Sequence, residues 1–195
     1  GGIGVISSRL TVEGPIIKEQ SSFVISGRRT YALDLAQPFL KGSNFEGTNY
    51  YFYDLNTKIN HKFSDNDRLY FSAYFGRDVF RFAQPKRNFS FDLPYGNSTA
   101  TLRWNHVFNN KLFFNASAIY NDYQFSFTGG QDDFVFKLFS GVKDWNGKLD
   151  FDYYPRNNHS VKFGLNYTYH TLTPSTAEAN SGDVNFSTGF LPKYG

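Results

Sequence analysis

The four histidines, His61, His106, His159 and His170, are the first candidates for metal ligation. No two of them stand at the i, i+4 spacing that puts imidazoles on one helical face, and no helix is expected around them. The chain has no cysteine, which removes thiolate ligands, disulfides and cysteine nucleophiles together. Serine, histidine and aspartate all occur, but no serine sits in a nucleophile elbow. The Gly1–Gly4 run lacks the strand-then-helix setting of a phosphate loop. Asp65 and Asp67 share a turn too short for a calcium loop, and are expected to form the turn itself. These residues predict neither catalysis nor a cofactor.

Binding chemistry is better represented. Alternate residues along several segments make polar, charged rows. One carries Ser7, Arg9, Thr11 and Glu13; others carry Ser26, Arg28 and Thr30, then Asp54, Asn56, Lys58 and Asn60, then Thr101, Arg103 and Asn105. Arg9, Glu13, Arg28, Lys58 and Arg103 are the charged candidates on such a face. The segment Ala83–Asn97 adds Lys86, Arg87, Phe89 and Tyr95. Cations interleaved with rings suit an anionic or ring-bearing solute, and a plain surface loop exposes the same residues.

These rows need strands to hold them. Leu69, Phe71, Ala73 and Phe75 alternate with Tyr70, Ser72, Tyr74 and Gly76. Leu112, Phe114, Ala116, Ala118 and Tyr120 form a second apolar row, and Val161, Phe163, Leu165, Tyr167 and Tyr169 a third. Period two of this kind is the mark of strands with one apolar face. About eight are expected, at 3–13, 21–34, 48–63, 68–82, 98–108, 111–128, 134–152 and 160–173, many of them longer than a soluble strand of about 5–6 residues. The parity of apolar positions changes within 134–152, which predicts a bulge near Asp144–Gly147.

The breaks between strands alternate in length. Gly14–Gln20, Ser64–Asp67, Asn109–Asn110 and Tyr154–His159 are short. Leu35–Gly47, Ala83–Asn97, Gly129–Asp133 and Pro174–Gly195 are mostly longer. Transmembrane barrels have short periplasmic turns and longer extracellular loops. Aromatics fall near both ends of the apolar rows: Phe63, Phe108 and Tyr153 by the short turns, Tyr51, Phe75, Tyr120 and Tyr167 by the long ones. Two aromatic girdles at the membrane interfaces are expected from this spacing.

Composition agrees. Aromatics make up 20% of the 195 residues, yet mean hydropathy is −0.48, as a sheet wet on one side and apolar on the other requires. No stretch approaches the roughly 18 apolar residues of a membrane helix. A net charge of +3 is too balanced to argue for nucleic acid. The expected class is all-β, an antiparallel up-and-down transmembrane barrel segment over 1–195, placed in a bacterial outer membrane with lipid as its partner. Methionine is absent, so the chain is expected to be an internal segment.

Ile6–Ile16 (ISSRLTVEGPI) resembles the first barrel strands after the plug in TonB-dependent receptors of the Bacteroidetes type. Ser22–Tyr31 (SFVISGRRTY) resembles the returning strand, and Asp144–Tyr154 with His159–Pro174 (HSVKFGLNYTYHTLTP) a later hairpin. The resemblance implies energy-coupled import of a solute through a 22-stranded barrel with an N-terminal plug and a TonB box. It implies that plug and box lie outside this chain, and that Arg9 and Arg28 face the plug. Two other readings stay open: a complete eight-stranded barrel with a structural or adhesive role, and a soluble all-β binding module. Pairing between 3–13 and 160–173 would favour the closed barrel; a second sheet over Leu112–Tyr120 would favour the soluble module.

Overall fold

In a computed structural model, described for residues 1–156, 158–181 and 184–188 and for the backbone of 193–194, the chain is one antiparallel sheet of 11 strands. The strands are β1 (Gly2–Ile3), β2 (Ser7–Ile17), β3 (Ser21–Thr30), β4 (Asn49–Lys62), β5 (Asp67–Gln84) and β6 (Phe89–Asn109). They continue with β7 (Leu112–Gln131), β8 (Phe134–Arg156), β9 (His159–Ser181), β10 (Val184–Thr188) and β11 (Lys193–Tyr194). Each of β1 to β10 pairs with its neighbour in sequence, and β11 pairs with β9. One helix, α1 (Ala32–Leu40), interrupts the pattern between β3 and β4.

The up-and-down order is as expected. The sheet is open: among the described residues β2 pairs with β1 and β3 only, and does not meet β9. A closed eight-stranded barrel is therefore not the structure formed. Among the described residues there is no second layer either. No hydrophobic side chain among the described residues is buried, and Phe163, Leu165 and Tyr167 are 55%, 67% and 67% exposed. A soluble module would have to hide that row.

Register settles which residues share a face. Leu55, Phe75, Ser98, Asp122 and Lys143 follow one another across β4 to β8 in a single ladder row. The next apolar row down is Ile25, Thr57, Ala73, Ala100, Tyr120 and Trp145. Adjacent positions put Lys58, Ser72, Thr101 and Asn146 on the opposite face. On β7 the apolar face runs from Leu112 to Tyr120 before Asp122 ends it. At a tilt of about 45° that run rises about 19 Å, most of the roughly 25 Å of a barrel's apolar band.

Three readings need correction. Ala83–Asn97 is not a loop: β5 and β6 run on to Gln84 and Phe89, joined by a single 3-10 turn at Pro85–Arg87. Asn88 closes that turn in the left-handed region, at φ 47°. Pro94 and Gly96 look like loop punctuation, but only the ladder to β7 skips Leu93 and Pro94, where Pro94 has no N–H to give. Pro174 likewise lies inside β9, not in a loop. Second, Leu35–Gly47 begins inside α1, which takes up the end of the expected strand 21–34. Third, Asp144–Gly147 carries no bulge. β7 and β8 stay in register from Leu112↔Tyr153 to Gln131↔Phe134, and the only shift near there lies between Phe139 and Gly141 against β9. The parity change in the sequence has another origin, described below. Of the aromatics in Pro174–Gly195, Phe190 and the side chain of Tyr194 fall outside the described residues.

Candidate functional site

On the polar face, Arg9 of β2 stands opposite Arg28 of β3, and Arg28 opposite Asp54 of β4. Arg28 donates from Nε to Asp54 Oδ2 at 2.8 Å, with Nη2 2.7 Å from the same oxygen, and its guanidinium lies 4.7 Å from the centre of the Phe52 ring. Asp54 is nearly covered, so Arg28 neutralises it and keeps little charge to offer elsewhere. Arg9 forms no ion pair with the described residues and presents its charge to whatever fills the space in front of the sheet.

Lower on the same face, Glu13, Val24 and Lys58 form one row. Lys58 and Arg103 line a shallow depression of about 620 Å³, together with Ser22, Asn60, Tyr70 and Ser72. Its lining holds two cations and no carboxylate. Arg103 is steadied by Nε donating to Ser117 Oγ at 3.3 Å. The structure thus brings Lys58 and Arg103 together, and leaves Glu13 at the β2 end of the Lys58 row and Arg9 at the β2 end of the Asp54 row.

Towards the long hairpins the face changes character. Tyr50 and Phe52 on β4, Phe80 and Phe82 on β5, and Phe89 and Phe91 on β6 occupy the same parity as Lys58, Ser72 and Thr101 below them. Their rings touch in a chain. Tyr50 meets Phe80 at 6.4 Å, Phe80 meets Phe91 at 5.6 Å, and Phe91 stacks on Phe127 at 5.7 Å. Phe127 then meets Phe136 of β8 at 6.2 Å. Meanwhile the other face turns mostly polar: Arg77, Arg81, Asp92 and Gln124 succeed Phe75, Ala100 and Tyr120, with Tyr51, Val79 and Pro94 as one apolar row among them, and Arg81 pairs with Asp92 at 2.6 Å. Above the belt the two faces exchange polarity. This exchange, not a bulge, is why apolar residues switch parity within 134–152.

Phe89 belongs to this aromatic surface, 6.2 Å from Phe82. Tyr95 stands opposite Asp78, which accepts a hydrogen bond from Tyr50 Oη at 2.9 Å. Lys86 and Arg87 do not join them; they sit at the crest, in the 3-10 turn. The expected interleaving of cations and rings within one loop is replaced by a half-buried aromatic wall with its basic pair at the rim. Sequence reading did not gather Tyr50, Phe80, Phe82, Phe127 and Phe136 into this surface. A signal existed: Phe80-Arg81-Phe82 and Phe89-Ser90-Phe91 alternate symmetrically about Pro85–Asn88, as the arms of a hairpin do.

The histidines are dispersed. His106 Nδ1 lies 2.6 Å from Asp67 Oδ1, and His170 Nδ1 lies 2.6 Å from Asp144 Oδ1, on opposite faces of the sheet. Among the described residues no three histidines or carboxylates gather as metal ligands would. Asp65 and Asp67 build the β4–β5 turn: Lys62 Nζ donates to Asp65 at 2.5 Å, and Ser64 Oγ to Asp67 at 2.9 Å. The lysine's donation and charge hold the Asp65 carboxyl below its ordinary value.

The sequence matches no protein-family model and no curated protein. Among solved structures, the ferric yersiniabactin uptake receptor FyuA from Yersinia pestis superposes with a TM-score of 0.62 over 97% of this chain, at 10% identity. The fold is that of an antiparallel, up-and-down β-barrel wall. At that identity the likeness concerns the fold alone, and this chain spans 33% of the receptor's length.

Proposed function

We propose that this chain is part of the barrel wall of a bacterial outer-membrane receptor that imports a solute by TonB-dependent, energy-coupled uptake. The observation that carries this reading is the pair of faces. A band of apolar side chains about 19 Å tall covers one face, charged rows cover the other, and among the described residues no second layer hides either. The likeness to an uptake receptor over nearly the whole chain supports the same reading. A plug domain, its TonB partner and the bacterial group, the Bacteroidetes type, follow from the resemblance of the hairpin sequences.

Within this reading the wall has two tasks. Arg9, Lys58 and Arg103 face the plug, where cations free of carboxylate partners in the sheet hold acidic or carbonyl groups of the filling domain. Glu13, beside Lys58 in the same row, pairs with a cation there. The aromatic surface around Phe82 and Phe91 receives the solute. Its rings, with Asp78 and two tyrosyl hydroxyls as polar handles, suit a ring-bearing solute better than a small anion. Lys86 and Arg87 meet the solute first, at the crest. No catalytic step is assigned to these residues.

Uptake in cells tests this. Solute libraries supplied to a strain carrying the full-length receptor should yield a ring-bearing compound whose accumulation stops when TonB is depleted. Phe82→Ser with Phe91→Ser should then reduce accumulation while the receptor stays in the outer membrane. Uptake indifferent to TonB would overturn the transport reading; uptake indifferent to both rings would overturn the placement of the solute.

A further inference from the structure

The face that carries the apolar band ends, towards the long hairpins, in a row that reads Arg29, Tyr53, Arg77, Gly96 and Gln124 across β3 to β7. The row beneath it reads Gly27, Leu55 and Phe75 on the first three of these strands. Arginine therefore appears at the first position above the band on two strands separated by one tyrosine. We propose that Arg29, Tyr53 and Arg77 form a binding site for the phosphate of a lipid headgroup in the surrounding outer leaflet. The proposal rests on the membrane placement of the band.

Spacing supports it. Strands lie about 4.8 Å apart, so Arg29 and Arg77 leave the backbone about 10 Å from each other, with Tyr53 midway. The Arg29 guanidinium now lies 5.9 Å from the centre of the Tyr51 ring, one row above, and both arginine stems are long enough to swing over Tyr53 to a phosphate set between them. Guanidinium presents paired N–H groups that match phosphate oxygens, and the phenol adds a third donor. Gly96 follows Arg77 in the row, and without a side chain it leaves open a depression of about 350 Å³ beside Arg77.

Charge distinguishes these arginines from their neighbours. Arg81 is held by Asp92 at 2.6 Å, and Lys143 lies 3.6 Å from Asp122, which also lines the depression beside Arg77. Asp122 is further occupied as an acceptor from Tyr120 and Gln124. Arg77 forms no ion pair with the described residues. Arg29 has a carboxylate 3.7 Å away, that of Asp34, but Asp34 accepts its short bond, 2.6 Å, from Asn49. An exposed contact of that length holds arginine weakly, and the Arg29 side chain remains 64% exposed. The unpaired Arg77 and the weakly held Arg29 thus sit where phosphates of the leaflet lie, one position beyond Leu55 and Phe75.

The test uses the full-length receptor purified in a neutral detergent. Fluorescent diphosphorylated lipid A is the probe, dephosphorylated lipid A the control, and inorganic phosphate the competitor. A nitroxide at Phe75 reports whether the band faces detergent. The Arg29→Gln, Arg77→Gln double variant should bind the probe about 10- to 30-fold more weakly, each cation near a lipid surface contributing a factor of several. Dephosphorylated lipid should bind wild type as weakly as that variant, and Arg103→Gln, on the other face, should change nothing. Should the double variant fail to insert, Arg77→Gln alone should still lose several-fold. Unchanged affinity in the variants, equal loss in Arg103→Gln, or full displacement by millimolar phosphate would overturn the lipid site while leaving the barrel standing. A nitroxide at Phe75 reached by water alone would overturn both.

Discussion

Phe82 and Phe91 face each other directly across β5 and β6, their rings stacked with centroids 5.4 Å apart and planes 25° from parallel. One position along, on the other side of the same hairpin, Arg81 pairs with Asp92. A strand pair buried in a bilayer would have these reversed, rings out and charges in. In the proposed barrel wall the hairpin therefore stands above the membrane, and its aromatic face looks into the barrel. A stacked cross-strand pair of this kind contributes about 0.5–1.5 kcal/mol beyond its burial. A double-mutant cycle with Phe82→Leu and Phe91→Leu should return a coupling in that range; a coupling of zero would mean the rings do not meet.

Around Arg28 the charge of the polar face is arranged about one carboxylate. Asp54 accepts from Arg28, and Arg28 stands beside Arg9. Asp54→Ala would leave two guanidinium groups side by side without compensation. Because Arg28 is half exposed, the pair itself is worth at most about 1 kcal/mol. The loss should show as a lower unfolding temperature that recovers partly in high salt, since exposed like charges are screened. Salt-independent destabilisation would point to packing against Phe52 instead.

The β4–β5 turn has a measurable acid limb. Lys62 holds the Asp65 carboxyl below its usual 3.8. A depressed carboxylate stabilises the turn above that pH and loses its contribution as pH falls through the lowered value. In carbon-detected titration the Asp65 midpoint should lie below 3.8, and Lys62→Ala should move it back towards 3.8. A midpoint that ignores the lysine would remove the ion pair from the turn.

Two glycines of the β8–β9 ladder should behave oppositely. A Cβ on Gly164 would collide with the Leu149 carbonyl, which is backbone and cannot swing away, whereas a Cβ on Gly147 meets open space. Gly164→Ala should cost about 1–3 kcal/mol through the shift it forces. Gly147→Ala should be neutral or slightly stabilising. Urea unfolding of the two variants in detergent would show the contrast, and equal effects would place the close approach elsewhere.

The eight long strands were legible because a bilayer enforces alternation, as in Leu69–Phe75 and Leu112–Tyr120. Their upper ends were not, for a physical reason. Beyond the band the apolar side changes, so Phe80, Phe82 and Phe91 look misplaced to a rule that keeps one face apolar. Pro85, Pro94 and Gly96 then read as loop. Helix α1 was hidden by its shortness and by Pro38 within it. Arg9, Arg28 and Asp54 were placed on one face by parity alone. That Arg28 is neutralised and Arg9 is not depends on reach across the ladder, which parity does not carry.

The exchange of polarity along β5 is the feature on which the membrane placement and the solute face both depend. The chain has no cysteine, so single cysteines from Leu69 to Phe82 can carry nitroxide labels without competing sites in these residues. In the full-length receptor reconstituted in lipid, odd positions 69–75 should collide with oxygen and even positions with a water-soluble nickel reagent. From position 77 upward the odd positions should become reachable by nickel, while labels at 80 and 82 stay shielded. Uniform access to nickel along the strand, or an oxygen-accessible face that continues unbroken through Arg77 and Arg81, would contradict a barrel wall that ends its apolar band at Phe75.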